Sequence, residues 1–226
     1  MIISTGLVQY DFGRQYTDGF KRKSEVNDTL GRQNQEIRAL LSKLQVGRSK
    51  KRLLAKTMDY LTTTSELKYP GITQDRLFPP WYRHKHQNPM DCETCKQCIT
   101  SGDRVCDIAL EYPCAHLKCA EAELITRKRL EGNAEYQGPM VHYGKIASGN
   151  QVVISGEYRD KIAAQEKVIA FEMEGAGVWD NFPCIVIKGV CDYADSHKSY
   201  DWQSYAATTA TAVAKAFLGE WTPRSM

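Results

Sequence analysis

Two carboxylates flank a methionine in Phe171-Glu172-Met173-Glu174-Gly175-Ala176-Gly177. An apolar run, Val168 to Phe171, leads in, and small residues lead out. Glutamate is a poor strand former and is rarely buried without a partner. Acids at this place therefore ask what they hold. A second acid, Asp192, follows the β-branched run Cys184-Ile185-Val186-Ile187-Lys188-Gly189-Val190-Cys191. A carboxylate can accept hydrogen bonds from the two vicinal hydroxyls of a ribose. A second carboxyl nearby can act as a general acid where burial or like charge raises its pKa. That pair suits cleavage of an N-glycosidic bond, whose departing purine needs a proton, most simply at N7. The plain alternative is that Glu172 and Glu174 pair with Lys145 or Lys188 and that Asp192 caps a loop.

These acids need elements that place them. Residues 168–174 and 184–191 read as strands. The second is apolar enough for a buried parallel sheet. Residues two apart in extended chain share a face, so Glu172 and Glu174 can look one way and Met173 the other. A local turn can equally aim Met173 at the ligand. Neighbouring strands would converge the three acids on one crevice beyond their carboxyl ends, where ligands of open α/β sheets bind.

The rest of the chain supplies layers. Ile2 to Phe12 reads as a strand or strand pair. Ile37, Leu40, Leu41 and Leu44 make one apolar helix face over 33–46. Leu53, Leu54, Met58 and Leu61 mark a second helix over 49–67. Its basic run, Arg48 to Arg52, reads as a solvated face. Residues 69–90 read as an irregular loop, 120–130 as a short helix, and Tyr136 to Pro139 as a turn. Residues 140–155 carry a strand into a glycine turn, and residues 157–166 a helix. A short helix starts at Gly175 and stops by Pro183. The Ala-rich segment 202–221 is a helix with Asp201 or Ser199 as N-cap. This alternation predicts an α/β domain with helices covering a sheet.

The 226 residues suit one such domain. A net charge of +3, with both signs well mixed, argues against nucleic acid as a partner. No apolar run approaches a membrane span, and no secretory signal is evident. An intracellular, cytoplasmic and reducing setting is expected, with thiols free or metal-bound. Six of the eight cysteines fall between Cys92 and Cys119. The CxxC spacing of Cys92, Cys95 and Cys98 is a zinc-ligand spacing. Cys106, Cys114, His116 and Cys119 follow, with a four-residue gap in the last pair. The rival reading is a variable loop with free thiols or a disulfide. Cys184 and Cys191 read as buried and reduced.

His142-Tyr143-Gly144-Lys145-Ile146-Ala147-Ser148-Gly149-Asn150-Gln151, the FEMEGAG segment, and Cys191-Asp192-Tyr193-Ala194-Asp195-Ser196-His197 occur in that order. Together they resemble the purine/uridine nucleoside phosphorylase superfamily, which includes methylthioadenosine/S-adenosylhomocysteine nucleosidase. The chain is most similar to the fungal version, often found in multidomain proteins. The resemblance covers the chain except the Cys-rich insert at about 90–120. It implies a three-layer α/β/α sandwich around a central, largely parallel or mixed sheet. It also implies a purine nucleoside as ligand and no metal for catalysis, with phosphate as a possible co-substrate. A homo-oligomer, or fusion to other modules in a longer chain, is expected. Glu174 would hold the ribose hydroxyls, Met173 would pack against the sugar, and Glu172 would help hold the site. Asp192 would protonate the purine. Val152 falls where the family often has a base-stacking Phe, and Phe171 either compensates or is core. Lys188 lies where relatives often carry Arg. The family's opening strands and glycine-rich phosphate loop have no counterpart before Ile2, so an N-terminally incomplete domain is expected. A catalytically inactive purine-binding sensor or interaction domain is the alternative function.

Overall fold

A computed structural model describes residues 1–64, 68–100, 102–127 and 138–222. Strand β1 (Ile2–Gln9) runs parallel to β4 (His142–Ser148), which runs parallel to β5 (Val168–Glu172). On its other side β1 meets the two-residue β6 (Ile187–Lys188), antiparallel. The order is β5-β4-β1-β6. A hairpin of β2 (Gly13–Tyr16) and β3 (Gly19–Arg22) forms a separate ribbon. The molecule is thus a mixed α/β fold with a mostly parallel main sheet.

Ile2 and Ile3, adjacent in β1, point to opposite faces of the sheet, as strand geometry requires. Ile3 joins a core with Leu53, Val213 and Phe217 and with Ile37, Leu40, Leu41 and Leu44. Those four are the buried face of α1 (Gln35–Leu44), whose N-cap Asn34 accepts from Ile37 N at 2.9 Å. Leu53 belongs to α2 (Gly47–Thr62), and Val213 and Phe217 to α8 (Gln203–Leu218). Arg52 and Lys56 of α2 both reach the buried carboxylate of Glu220, just beyond α8. Ile2 faces the other way, into a cluster with Leu7, Ile146, Ala170 and Trp179. Trp179 ends the short α7 (Ala176–Trp179). Ile162 of α6 (Gly156–Glu166) packs with Tyr10, Ala147, Val153 and Val168. The unit β4–α6–β5 is a parallel crossover.

Three expectations are corrected. Strands 168–174 and 184–191 are not neighbours, because β4 and β1 lie between them. The run from Cys184 is an antiparallel edge and not a buried parallel strand. Its apolarity has another cause. Ile185 and Ile187 pack on the α1–α2–α8 core, while Cys184 and Val186 pack on the opposite cluster. The segment is apolar on both faces although little of it joins a ladder. The backbone of α8 then comes so close that a Cβ on Gly189 would lie 2.0 Å from Ala206 O. Finally, Asp201 and Ser199 hydrogen-bond each other at 2.6 Å and do not cap α8, whose N-cap is Trp202.

The Cys-rich segment folds on a small core of its own. Helices α3 (Glu93–Gln97), α4 (Asp107–Glu111) and α5 (Cys114–Leu117) surround Phe78, Cys95, Cys98, Val105, Ala109, Leu117 and Cys119. This core begins at Phe78, upstream of residue 90. All eight cysteines are free. Cys184 and Cys191 are half-buried, less enclosed than expected for a central strand. Of the expected helix at 120–130, residues 121–123 form a 3-10 turn and 128–130 lie outside the described residues. Tyr136 and Gln137 of the expected turn also lie outside them. No helix among the described residues is long and apolar enough to cross a membrane.

Candidate functional site

Because β4 and β5 are parallel, Ser148 and Glu172 end them side by side. Glu172 is buried. Its Oε2 accepts from the backbone N–H of Glu174 at 2.9 Å and of Gly175 at 2.7 Å. Ser148 Oγ accepts from Ala176 N at 2.9 Å. Two side chains thus hold the N–H groups released where the strand stops. The chain turns at once, and this brings Met173 and Glu174 to the surface. Gly175 is needed here for close approach, since a Cβ would lie 2.9 Å from both Glu172 Oε1 and Leu7 Cδ2. Glu172 Oε1 is buried without a hydrogen-bond partner. Glu174 Oε2 accepts from Met173 N at 3.1 Å.

Asp192 sits on the opposite side of the sheet order, in the loop after β6. Its Oδ1 accepts from Ala194 N at 2.8 Å, which steadies a turn with Ala194 at a left-handed φ of 51°. Its Oδ2 faces Lys198 Nζ at 3.4 Å and takes a weak bond from Cys191 Sγ at 3.5 Å. Asp192 does cap its loop. Neither Lys145 nor Lys188 pairs with Glu172 or Glu174 among the described residues.

The carboxyl end of antiparallel β6 lies beside Ile2, at the amino end of β1. That of β5 lies beside Ser148, at the other end. The acids therefore do not gather beyond one set of strand ends as expected, but they line a common cavity. One open cavity of about 1160 Å³ is lined by Glu172, Met173, Glu174 and Asp192, and also by Phe171 and Val152. Phe171 stands edge-on to Tyr10 at 5.7 Å, and Val152 is exposed. The volume exceeds what one small ligand fills. Lys188, Arg159, Arg127 and Lys198 bring positive charge to the same walls. Trp202, Tyr69 and Tyr193 bring aromatic surface.

Motif reading missed several of these. Arg159 donates to Tyr193 O at 2.8 Å and to Asp160 at 2.7 Å. Tyr193 OH donates to Asp75 at 2.6 Å, and Arg127 bonds to both. Trp202 and Tyr69 cross at 5.6 Å. Tyr193 carried a signal, as part of the CDYAD run. Asp195 of that run is buried and does not line the cavity. Its Oδ1 accepts from His197 N at 2.9 Å, and burial pushes its carboxyl pKa up.

Comparison with known proteins adds two relatives. Over 226 aligned residues, 98% of this chain, it is 30% identical to a nucleotide-binding leucine-rich repeat (NLR)-like protein of Hyaloscypha variabilis. The chain spans 19% of that protein's length. Over 87 residues, 36% of the chain, it is 33% identical to the aminodeoxyfutalosine nucleosidase of Helicobacter pylori, covering 38% of that enzyme. No family model and no solved structure matches the chain.

Proposed function

We propose that this chain cleaves the N-glycosidic bond of purine nucleosides. The observation that carries the reading is that Glu174 and Asp192 both line one cavity. They arrive from opposite edges of the sheet, at a strand end and in a loop. The local likeness to a nucleosidase supports it, since that enzyme's name states the same class of chemistry.

In this reading each residue has a distinct task. Glu174, exposed and carrying only a local hydrogen bond, accepts from the ribose hydroxyls. Met173 packs on the sugar. Glu172 folds the turn that presents both. Phe171 and Val152 bound the space for the base. Asp192 gives its proton to N7 as the bond between C1′ and the purine nitrogen breaks, and the purine leaves neutral. Water or phosphate adds at C1′ and gives up one proton, which restores that of Asp192, yielding ribose or ribose 1-phosphate. General acid catalysis of this kind contributes about 10²–10⁴-fold. The four-stranded sheet then belongs to the three-layer sandwich of nucleoside phosphorylases. The test is incubation with adenosine, inosine and methylthioadenosine, with and without phosphate, and chromatography of the products. Release of free base supports the proposal. Intact nucleosides after prolonged incubation with folded protein refute it.

A second reading has its own observation. Nearly all of this chain matches about a fifth of a far longer NLR-like protein. A domain embedded in that way can serve as a purine sensor for its neighbours without turnover. Saturable nucleoside binding with no base release selects this reading over the first.

A further inference from the structure

We infer that the Cys-rich insert binds two zinc ions, held by two separate cysteine–histidine sets. Neither set is the one that CxxC spacing suggests. The first is His86, Cys92 and Cys106, whose ligand atoms all lie within 4.8 Å of one another. Cys95 Sγ stands 3.7 Å from Cys106 Sγ, beside this set but outside the group of mutually close ligand atoms. The second is His84, Cys114 and Cys119, gathered as closely. His84 Nδ1 lies 3.6 Å from Cys114 Sγ and 3.7 Å from Cys119 Sγ.

The distances are those of a coordination shell. Zinc binds thiolate at about 2.3 Å and imidazole at about 2.0–2.1 Å, tetrahedrally. The edges of such a tetrahedron are about 3.8 Å between sulfurs and about 3.5 Å between sulfur and nitrogen. The histidine–sulfur separations of the second set match such a shell, and the first set is gathered within reach of one. A disulfide would need sulfurs at about 2.0 Å. The histidine is also set for a metal. His84 Nε2 lies 2.7 Å from Tyr112 O. A carbonyl can only accept, so Nε2 carries the proton and Nδ1 turns a lone pair to the two sulfurs. That backbone bond is the usual orienting partner of a metal-bound histidine. Mixed thiolate and imidazole ligands select zinc over harder divalent cations.

Two cysteine-region residues are excluded by their surroundings. Cys98 Sγ is turned toward Asp103 O at 3.8 Å. His116 is exposed and stacks edge-on with Tyr112 at 5.5 Å. The ions also have a structural use. The insert core is small; its buried Cys119 is a ligand, and the ligands Cys92, Cys106 and Cys114 pack against it. A core of that size gains folding free energy from metal directly. The second site lies against the loop that carries Asp192: His84 N donates to Ser196 Oγ at 3.2 Å. The His197 ring stands edge-on to His84 at 5.1 Å. The second site brings three protein ligands.

Metal content of the purified chain, expressed with added zinc, tests the assignment. We expect two zinc ions per folded wild-type chain. The pair Cys92→Ser/Cys106→Ser should retain one, and so should Cys114→Ser/Cys119→Ser. Cys98→Ser and His116→Ala should retain both. Should a double variant fail to fold, cobalt(II) titration of the wild-type chain decides. Thiolate-to-cobalt charge transfer and tetrahedral ligand-field bands should saturate at two equivalents and vanish when zinc displaces cobalt. A folded wild-type chain that takes up one equivalent or none overturns the proposal. So does loss of metal in Cys98→Ser or His116→Ala, or a Cys114–Cys119 disulfide found by mass spectrometry.

Discussion

Glu172 Oε2 accepts the backbone N–H of Gly175 at 2.7 Å. This bond separates the two acids of FEMEGAG. Glu172 spends one oxygen on the turn, while Glu174 is left exposed at the cavity wall.

Stability measurements should therefore split the pair. Glu172→Ala frees two backbone N–H groups and destabilises by about 1–3 kcal/mol for each that stays buried and unpaired. Glu172→Gln keeps an acceptor and loses less. Glu174→Ala sits at an exposed position and changes stability by no more than about 0.5 kcal/mol. Urea midpoints at constant slope provide the comparison, and equal losses at both positions would contradict this division.

Ligand measurements should split Glu174 from Asp192. Glu174→Gln weakens a charge-assisted bond to the ribose, so nucleoside affinity falls by about 1.5–3 kcal/mol in calorimetry. Asp192→Asn keeps the shape and can still donate to N7 but delivers no proton. Turnover should fall by about 10²–10⁴-fold with binding nearly intact. Nucleosides with good leaving groups should be spared. Full turnover of Asp192→Asn on adenosine or inosine would move the acid elsewhere, with buried Asp195 the next residue to replace.

Acid stability should depend on Glu220. Hydrogen bonds from Arg52, then from Lys56, hold its carboxyl pKa down at about 2, from an ordinary 4.5. A carboxylate with a lowered folded-state pKa stabilises fully above its unfolded value. That contribution is lost as pH falls from about 4.5 to about 2. Glu220→Gln should cost about 1.5 kcal/mol at neutral pH, the low end for a bond to a charged group, because Arg52 is half exposed and screened. The variant's disadvantage should shrink toward pH 2. A constant gap between the two proteins across that window would show that charge is not the cause.

Packing of the β6 edge rests on Gly189. A methyl group there would meet the α8 backbone at 2.0 Å, so Gly189→Ala forces a shift and destabilises by about 1–3 kcal/mol. Gly177→Ala, with no atom within 4 Å of the added Cβ, is the matched control. It should be neutral or stabilise α7 by about 0.5–1 kcal/mol. Thermal denaturation of the two variants, with Gly189→Ala no less stable than Gly177→Ala, would remove the close-approach argument.

Local pattern carries part of this molecule in plain view. Ile37, Leu40, Leu41 and Leu44 recur at helical spacing, and they are the buried face of α1. The apolar run before Glu172 predicts a strand over 168–174, and β5 is there but stops two residues earlier, at Glu172. Such features depend on residues within a turn or two of each other, so period and propensity expose them. The Cys184–Cys191 run misled for a related reason. Its composition registers burial on both faces, and burial does not name the strand that pairs with it.

What the chain determines by itself is where elements start and stop, and which residue types stand ready at their ends. Tertiary structure alone decided that β4 and β1 separate β5 from β6, and that Glu174 and Asp192 nonetheless share one cavity. It also decided that Glu172 serves the turn, and that His84 and His86, not His116, face the thiols. Apart from the Glu172 turn, which is local, each of these brings together segments distant in sequence. Hydrogen bonds and side-chain packing across the fold select such contacts, and no local spacing encodes them.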